Sequence, residues 1–262
     1  MRALNTAATG MMAMELNVQV IANNLANMTT TGYKRQRTEF QDLLYDHVSR
    51  IGTQTSAQGN ILPVGIDLGS GVKTVGTPRL MTQGTLAQTG GSLDVAIRGD
   101  GFFKIQLPDG TYAYTRDGSF QMDNTGRIVT AQGNVVQPTI TIPQNSTALT
   151  INPQGQVSVI PQGQTLPTIL GQLTITRFIN QSGLLPVGDN MYTETPASGT
   201  PLDGIAATDG TGDLLQGSLE QSNVDSVSEI TNLIAAQRAY EMNGKVITAA
   251  DQMLQSDANL IR

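Results

Sequence analysis

The sequence predicts an α+β chain, with long N- and C-terminal helices forming a coiled-coil-like inner domain and a central antiparallel all-β domain between them. Three observations carry this. All 11 prolines lie between Pro63 and Pro201, and all but two of the 28 glycines lie between Gly32 and Gly217. Half of the ten methionines fall before residue 29, where no proline interrupts an apolar periodicity. The centre alternates short apolar runs with turn signals. The boundaries implied are helices over 1–30 and 226–262, a connecting extended segment over 31–71, and the β domain over 72–225.

In the first segment Leu4, Ala7, Met11, Met14, Val18, Ile21, Leu25 and Met28 stand alternately three and four residues apart. That is an unbroken heptad seam roughly 36 Å long, and Asn27 with Gly32 supplies the stop signals. The other faces of this helix carry only Arg2 and Glu15 as charges.

The C-terminal segment mirrors it. Ser226 and Glu229 have the spacing of a capping box just before the apolar run begins at Ile230. Leu233, Tyr240, Ile247, Leu254 and Ile261 then recur every seven residues, Ala236 and Ala250 fill intervening seam positions, and Asn243 and Asp257 interrupt the seam. Two such seams suit helices that pack on each other and on neighbouring molecules.

Between them, DVAIRGDGFFKIQLPDGTYAYTRDGSFQMDNTGRIVTAQGNVV places short strands between the turns GDG, PDG, RDG, DNTG and QGN. Further strands fit Leu149–Ile151, Val157–Ile160 and Leu170–Phe178. The expected result is a sandwich- or barrel-like antiparallel domain. A stretch from Ile51 to Gly69, rich in Gly, Ser, Thr and Gln, separates it from the first helix and its extension.

Composition excludes several functions. The formal charge is −6 and only 14% of residues are charged, against about 25% in an average domain, so much of the polar surface is neutral and a general nucleic-acid binder is ruled out. The one basic run, Lys34 to Arg37, is expected in a solvated turn. No cysteine is present, which removes disulfides and thiolate chemistry. The N-terminus lacks the apolar core of a Sec signal, and no segment approaches the length of a membrane span. His47, the only histidine, has no partners that suggest catalysis. Asp100, Asp109, Asp117 and Asp123 fall at turn positions. Asp209 to Asp213 lacks the spacing of a calcium loop, and Gly69 to Lys73 is not a phosphate loop. No catalytic, cofactor-binding or metal-binding residue is therefore assigned, and the chain is expected not to be an enzyme.

The stretch ANNLANMTTTGYKR resembles the N-terminal signature of the flagellar rod and hook proteins of bacteria, through Ala22, Asn23, Asn24, Leu25, Ala26, Asn27, Thr31, Gly32, Tyr33, Lys34 and Arg35. DVAIRGDGFF, YTRDGSF and QRAYEMNGKVITAADQML are similar to the family's later landmarks and occur in its order. Chain length, the segment from Leu43 to Gly69 and QPTITIP match the distal-rod branch most closely.

The resemblance implies a structural subunit exported unfolded through the flagellar type III apparatus without a cleaved signal. It implies self-assembly into a hollow helical drive shaft in the basal body, spanning the periplasm, with paired terminal helices around the export channel. The implied partners are other copies of the chain, proximal rod proteins, the hook protein, and the periplasmic and outer-membrane ring proteins. Residues 51–69 resemble an insertion that braces neighbouring subunits. A proximal rod paralogue, or a secreted β-type binding domain, are the alternatives. The seams would be polymerisation surfaces, and Asn23, Asn24 and Asn27 neutral hydrogen-bonding positions between helices, where a buried charge would carry a large desolvation cost.

Overall fold

The computed structural model describes residues 2–260 apart from 50–63, 165 and 209, with 257–260 described by backbone alone. The chain divides into two compact units. One comprises Met1–Leu25, Gln36–Pro78 and Asp225–Arg262, and the other Ala26–Arg35 and Arg79–Val224.

The first unit is built on α1 (Arg2–Ala26) and α2 (Ser226–Leu260). Near the end of α1, Asn24 donates to Glu229 in the first turn of α2 at 3.1 Å. Near the start of α1, a Cβ on Gly10 would lie 2.8 Å from the Asn243 amide. The two pairs are equally far apart along both helices, so the helices run antiparallel and in register. On α1 the row through these contacts is Gly10, Ala13, Asn17, Val20 and Asn24. On α2 it is Glu229, Ala236, Asn243 and Ala250. Ala13, Val20, Asn24, Glu229, Ala236 and Ala250 are all buried.

This row is not the predicted heptad seam of α1, which lies about a quarter turn round the helix at roughly 100° per residue. Small side chains at Gly10, Ala13 and Ala236 let the helices approach closely, so backbone proximity outweighs the larger apolar stripe beside it. The capping box also differs. Asp225 is the N-cap: its carboxylate accepts from the Val227 and Ser228 amides at 3.4 and 3.3 Å. An acid one residue upstream of Ser226 takes that role, and Glu229 is freed to face Asn24.

Residues 36–78 continue this unit as an antiparallel ribbon. β1 (Glu39–Asp42) pairs with β4 (Val72–Gly76), and β2 (Tyr45–Ser49) pairs with β3 (Ile66–Gly69). Most of the expected insertion, residues 51–63, lies outside the described residues. Gly71 ties the ribbon to α1. Its φ is +116° and a Cβ there would lie 2.2 Å from the Thr9 hydroxyl, so only glycine permits the approach. Arg2 reaches Asp46 at 2.6 Å. His47 stands in β2 opposite Asp67, with its Nδ1 2.5 Å from the carboxylate.

The second unit is all β. Its strands are β5 (Leu86–Gln88), β6 (Val95–Arg98), β7 (Phe102–Gln106), β8 (Tyr112–Thr115), β9 (Gln121–Met122) and β10 (Ile128–Val129). They continue as β11 (Val135–Gln137), β12 (Ser146–Ile151), β13 (Gln156–Pro161), β14 (Thr168–Gln172) and β15 (Thr174–Arg177). The last are β16 (Leu185–Gly188), β17 (Met191–Thr193), β18 (Leu202–Ile205), β19 (Asp213–Gln216) and β20 (Ser218–Glu220). β7 is the hub of the nine-stranded sheet, pairing with β8, β11 and β15. β12, β13 and β14 form a separate three-stranded sheet, and β6 with β19 and β5 with β20 make two ribbons.

The pair Phe102–Phe103 feeds two cores because successive strand residues point to opposite faces. Phe103 joins Val95, Ile97, Phe120, Val157 and Leu173. Phe102 packs edge-to-face on Phe178 and Tyr192, at 5.9 Å in each case. The run Leu170–Phe178 is not the single expected strand. At Leu173 it passes from β14 in one sheet to β15 in the other, where the Leu173 amide donates to the Gly155 carbonyl at 2.7 Å.

Gly118 of the RDG turn lies so close to β6 that a Cβ would sit 1.7 Å from the Val95 carbonyl oxygen. Gly118→Ala is expected to destabilise this unit by about 1–3 kcal/mol, the usual cost of forcing extra volume into packed structure. Denaturant unfolding of the full chain measures it, and an unchanged midpoint would refute the steric argument.

Candidate assembly site

Three of the sequence landmarks meet on one carboxylate in the second unit. Lys34 of GYKR extends its ammonium to Glu220 Oε1 at 2.6 Å and to the Thr82 carbonyl at 2.8 Å. Arg116 of YTRDGSF donates to Glu220 Oε2 at 3.4 Å, and its guanidinium lies 5.4 Å from the ring centroid of Phe102, from RGDGFF. The Gly84 amide adds a bond to Oε1 at 2.9 Å. All three charged side chains are no more than 1% exposed.

The expectation that the basic run is a solvated turn is therefore wrong for Lys34. A buried ammonium survives only with a partner and full hydrogen bonding, and Glu220 on β20 provides both. Burial pushes the Lys34 ammonium below its usual value, with Glu220 opposing the shift and Arg116 reinforcing it. Burial likewise lowers Arg116, against Glu220.

The rest of the segment is held by backbone bonds. The Gly32 amide donates to the Glu220 carbonyl at 2.8 Å, and the Leu80 amide to the Arg35 carbonyl at 2.8 Å. Asn223 accepts from the Arg35 amide at 2.7 Å, and Asn190 donates to the Thr31 carbonyl at 3.0 Å. Gly32, with φ +67°, passes so close to the RDG turn that a Cβ would meet the Asp117 nitrogen at 2.8 Å. Tyr33 is buried, while Arg35 is half-buried. Glu220 belongs to none of the quoted motifs; its only signal was a lone acid in a short strand-like run.

In the first unit, Asn24 makes the corresponding clasp. Its carbonyl accepts from the Gln36 amide at 2.9 Å, and its own amide donates to the Gln36 carbonyl at 2.8 Å and to Glu229. One neutral side chain thus closes the ribbon's first residue and the start of α2 onto the end of α1. Asn27 accepts from the Thr30 hydroxyl at 3.1 Å in the turn that ends the helix. Asn23 is exposed.

The seam residues divide into three groups. Ala7, Ile21, Ala236 and Ala250 are buried, while Leu4, Met11, Met14, Val18, Leu25, Leu233 and Ile247 are half-buried. Met28, Tyr240 and Leu254 are exposed, and Met28 lies past the end of α1. Val227, Ile230, Ile234, Met242, Val246 and Met253 of α2 are also exposed, the first four turned away from the Glu229–Ala250 row and the last two beside it. The ribbon adds exposed Leu44, Val48, Ile66 and Leu68.

The aspartates Asp109, Asp117 and Asp123 make local turn bonds to the amides of Thr111, Ser119 and Thr125. Among the described residues no cluster of His, Cys, Asp or Glu has the arrangement of a metal site, and no helix is long and apolar enough to cross a membrane.

Removing the carboxylate charge tests the junction. Glu220→Gln leaves the Lys34 and Arg116 charges without their hydrogen-bonded counter-ion, at an expected cost of about 3–5 kcal/mol, read as a lowered unfolding midpoint. Asn24→Ala is expected to cost about 1–3 kcal/mol through its lost buried bonds, with faster hydrogen exchange confined to the end of α1 and the start of α2. A uniform change over both helices would contradict a local clasp.

Family models match in three places. A flagella basal body rod protein model covers residues 4–34, a flagellar hook protein FlgE/F/G D1 domain model covers 96–159, and a flagellar basal body rod FlgEFG protein C-terminal model covers 215–260. The flagellar basal-body rod protein FlgG of Caulobacter vibrioides is 53% identical over 99% of both chains. That of Buchnera aphidicola subsp. Acyrthosiphon pisum is 50% identical over 96% of both. The FlgF rod protein of the same Caulobacter is 33% identical over 97% of this chain and 95% of its own. With its terminal segments, its β domain and its full length all matched in this way, the chain belongs to the FlgG family of bacterial flagellar basal-body rod proteins.

Proposed function

We propose that the chain is a structural, non-catalytic subunit of the distal rod that polymerises through its helix pair into a hollow helical shaft carrying torque from motor to hook. The observation that carries this is the two-faced α2. One side packs on α1 through Ala236 and Ala250, and Val227, Ile230, Ile234 and Met242 are exposed away from that side. A helix of a monomeric domain needs one apolar face, whereas a helix in a tube wall needs two. The half-buried α1 seam, from Leu4 to Leu25, gives the pair a third flank for a neighbour.

The distal position, as opposed to that of a proximal paralogue, is supported by the higher identity to FlgG than to FlgF within one organism. Proximal rod proteins, the hook protein, the ring proteins and the type III export apparatus are the partners this reading implies, in a basal body spanning the periplasm. The seam contact is heterologous, so assembly propagates along an open helix and does not close as a dimer.

The exposed face gives a clean test. Ile234→Asp lies on the side of α2 turned away from its packed row, so the monomer's stability is expected to stay within about 0.5 kcal/mol of the parent, while filaments disappear from concentrated protein in negative stain. Leu25→Asp on the α1 seam is expected to do the same with the β domain still folded. Normal filaments from both variants, or a two-fold dimer as the end state at every concentration, would overturn the reading.

A further inference from the structure

We propose that Asn243–Gly244 is a self-modifying site, at which a chain whose helices stay unpaired converts its own asparagine to aspartate or isoaspartate and so withdraws from assembly. The consequence rests on the polymer reading, while the chemistry depends on the helix pair alone. This is the one Asn–Gly dipeptide in the sequence, and it lies in α2 where that helix faces Gly10 of α1.

Packing does not require glycine at 244. A Cβ there would meet the Met11 sulfur at 4.0 Å, an ordinary contact, and the α-helical backbone suits any residue but proline. Glycine is nevertheless a poorer helix former than alanine, so residue 244 weakens α2 with no steric return. Gly10 differs, because a Cβ on it would lie 2.8 Å from the Asn243 amide. The two glycines stand at one level of the pair, which favours local opening there.

What glycine supplies is reactivity. With no Cβ to screen it, the Gly244 nitrogen reaches the side-chain carboxamide carbon of Asn243 once the chain leaves the helix. The N–Cγ bond forms as the nitrogen gives up its proton, the Cγ–Nδ2 bond breaks, and ammonia leaves a succinimide ring. Water then opens the ring at either carbonyl, giving aspartate or isoaspartate. In the formed helix the Gly244 amide hydrogen is committed to the Tyr240 carbonyl, four residues back, and ring closure would require the backbone after Asn243 to abandon its helical dihedral. Reaction therefore proceeds only through local opening.

The product cannot resume the old contact. Neither row of the helix contact holds a cation, and its other charge is the carboxylate of Glu229, so either product adds an uncompensated negative charge beside Gly10. Isoaspartate also inserts a methylene into the main chain, which shifts the hydrogen-bond ladder of α2 beyond it. Loss of ammonia makes the change one-way. Early pairing protects a subunit, and delay removes it.

The full chain is incubated at mildly alkaline pH as urea-unfolded chain, native monomer and polymer, and followed by peptide mass mapping with isoaspartyl methyltransferase labelling. Asn243 is expected to convert ahead of every other asparagine in the unfolded chain, and at least about tenfold more slowly in the native monomer and polymer, because only the opened helix reacts. Gly244→Ala, which the packing accommodates, is expected to slow the unfolded-chain reaction at least about tenfold while raising the monomer's unfolding midpoint. In an aged preparation, isoaspartate is expected in the supernatant and not in pelleted polymer. Equal conversion in the unfolded and native chains, an Asn243 no faster than the other asparagines, or isoaspartate shared evenly between pellet and supernatant would overturn the proposal. Failure of the fresh chain to polymerise would count instead against the helix polymer, and the rates in unfolded chain and native monomer would still decide the site.

Discussion

One buried carboxylate organises the β unit. Glu220 neutralises Lys34, lies beside Arg116 and accepts the Gly84 amide, while its own carbonyl accepts the Gly32 amide. Glu220 faces two cations, with Asp100 near enough to favour the charged form of both, an arrangement that contributes little net stability but is costly to break. Its value lies in specificity. The placement seen for the Ala26–Arg35 segment brings all these groups together. The glycines Gly32, Gly101 and Gly118 serve the same end, since at each a Cβ would collide with a packed neighbour.

The contact between the helices follows the opposite strategy, with Glu229 the one charged residue in its two rows. Asn24 does with a neutral amide what Lys34 does with an ammonium, binding Gln36 on both sides and Glu229 across to α2. The small residues take the intramolecular contact and the large apolar ones are left beside it. A monomer that buried its methionines and leucines in its own hairpin would have nothing to offer a neighbour. The offset of about a quarter turn between the Gly10–Asn24 row and the Leu4–Leu25 seam is the geometric form of that division.

Much of this was legible. Breaker placement located the β domain, and heptad spacing located both helices to within a few residues, because these signals depend on local backbone chemistry. The turn aspartates were legible for the same reason. What failed depended on partners distant in sequence. Lys34 looked like a solvated cation because Glu220, its counter-ion, lies far along the chain in a motif-free strand. Glu229 fitted a capping box because sequence spacing cannot show that Asp225 is the better cap, or that Asn24 approaches from the other helix. Periodicity found an apolar stripe on α1 but could not say which molecule it faces. The strand break at Leu173 was hidden by a continuous apolar run.

Charge placement joins the two units into one account. Several surface ions are paired within the chain: Arg98 with Asp213, Lys104 with Asp203, Arg127 with Asp123, Arg37 with Glu39 and Arg2 with Asp46. Exposed pairs of this kind add only about 0–1 kcal/mol each to stability, so stability is a weak reason for their abundance. Their stronger effect is on association. A paired charge presents a small dipole to a neighbour where a lone charge would demand a counter-ion, and between identical subunits a lone charge meets its own sign as readily as the opposite one. Pairing these charges in cis and leaving the α1 seam and the β12–β14 sheet neutral therefore leaves shape and apolar burial to decide how one copy meets the next.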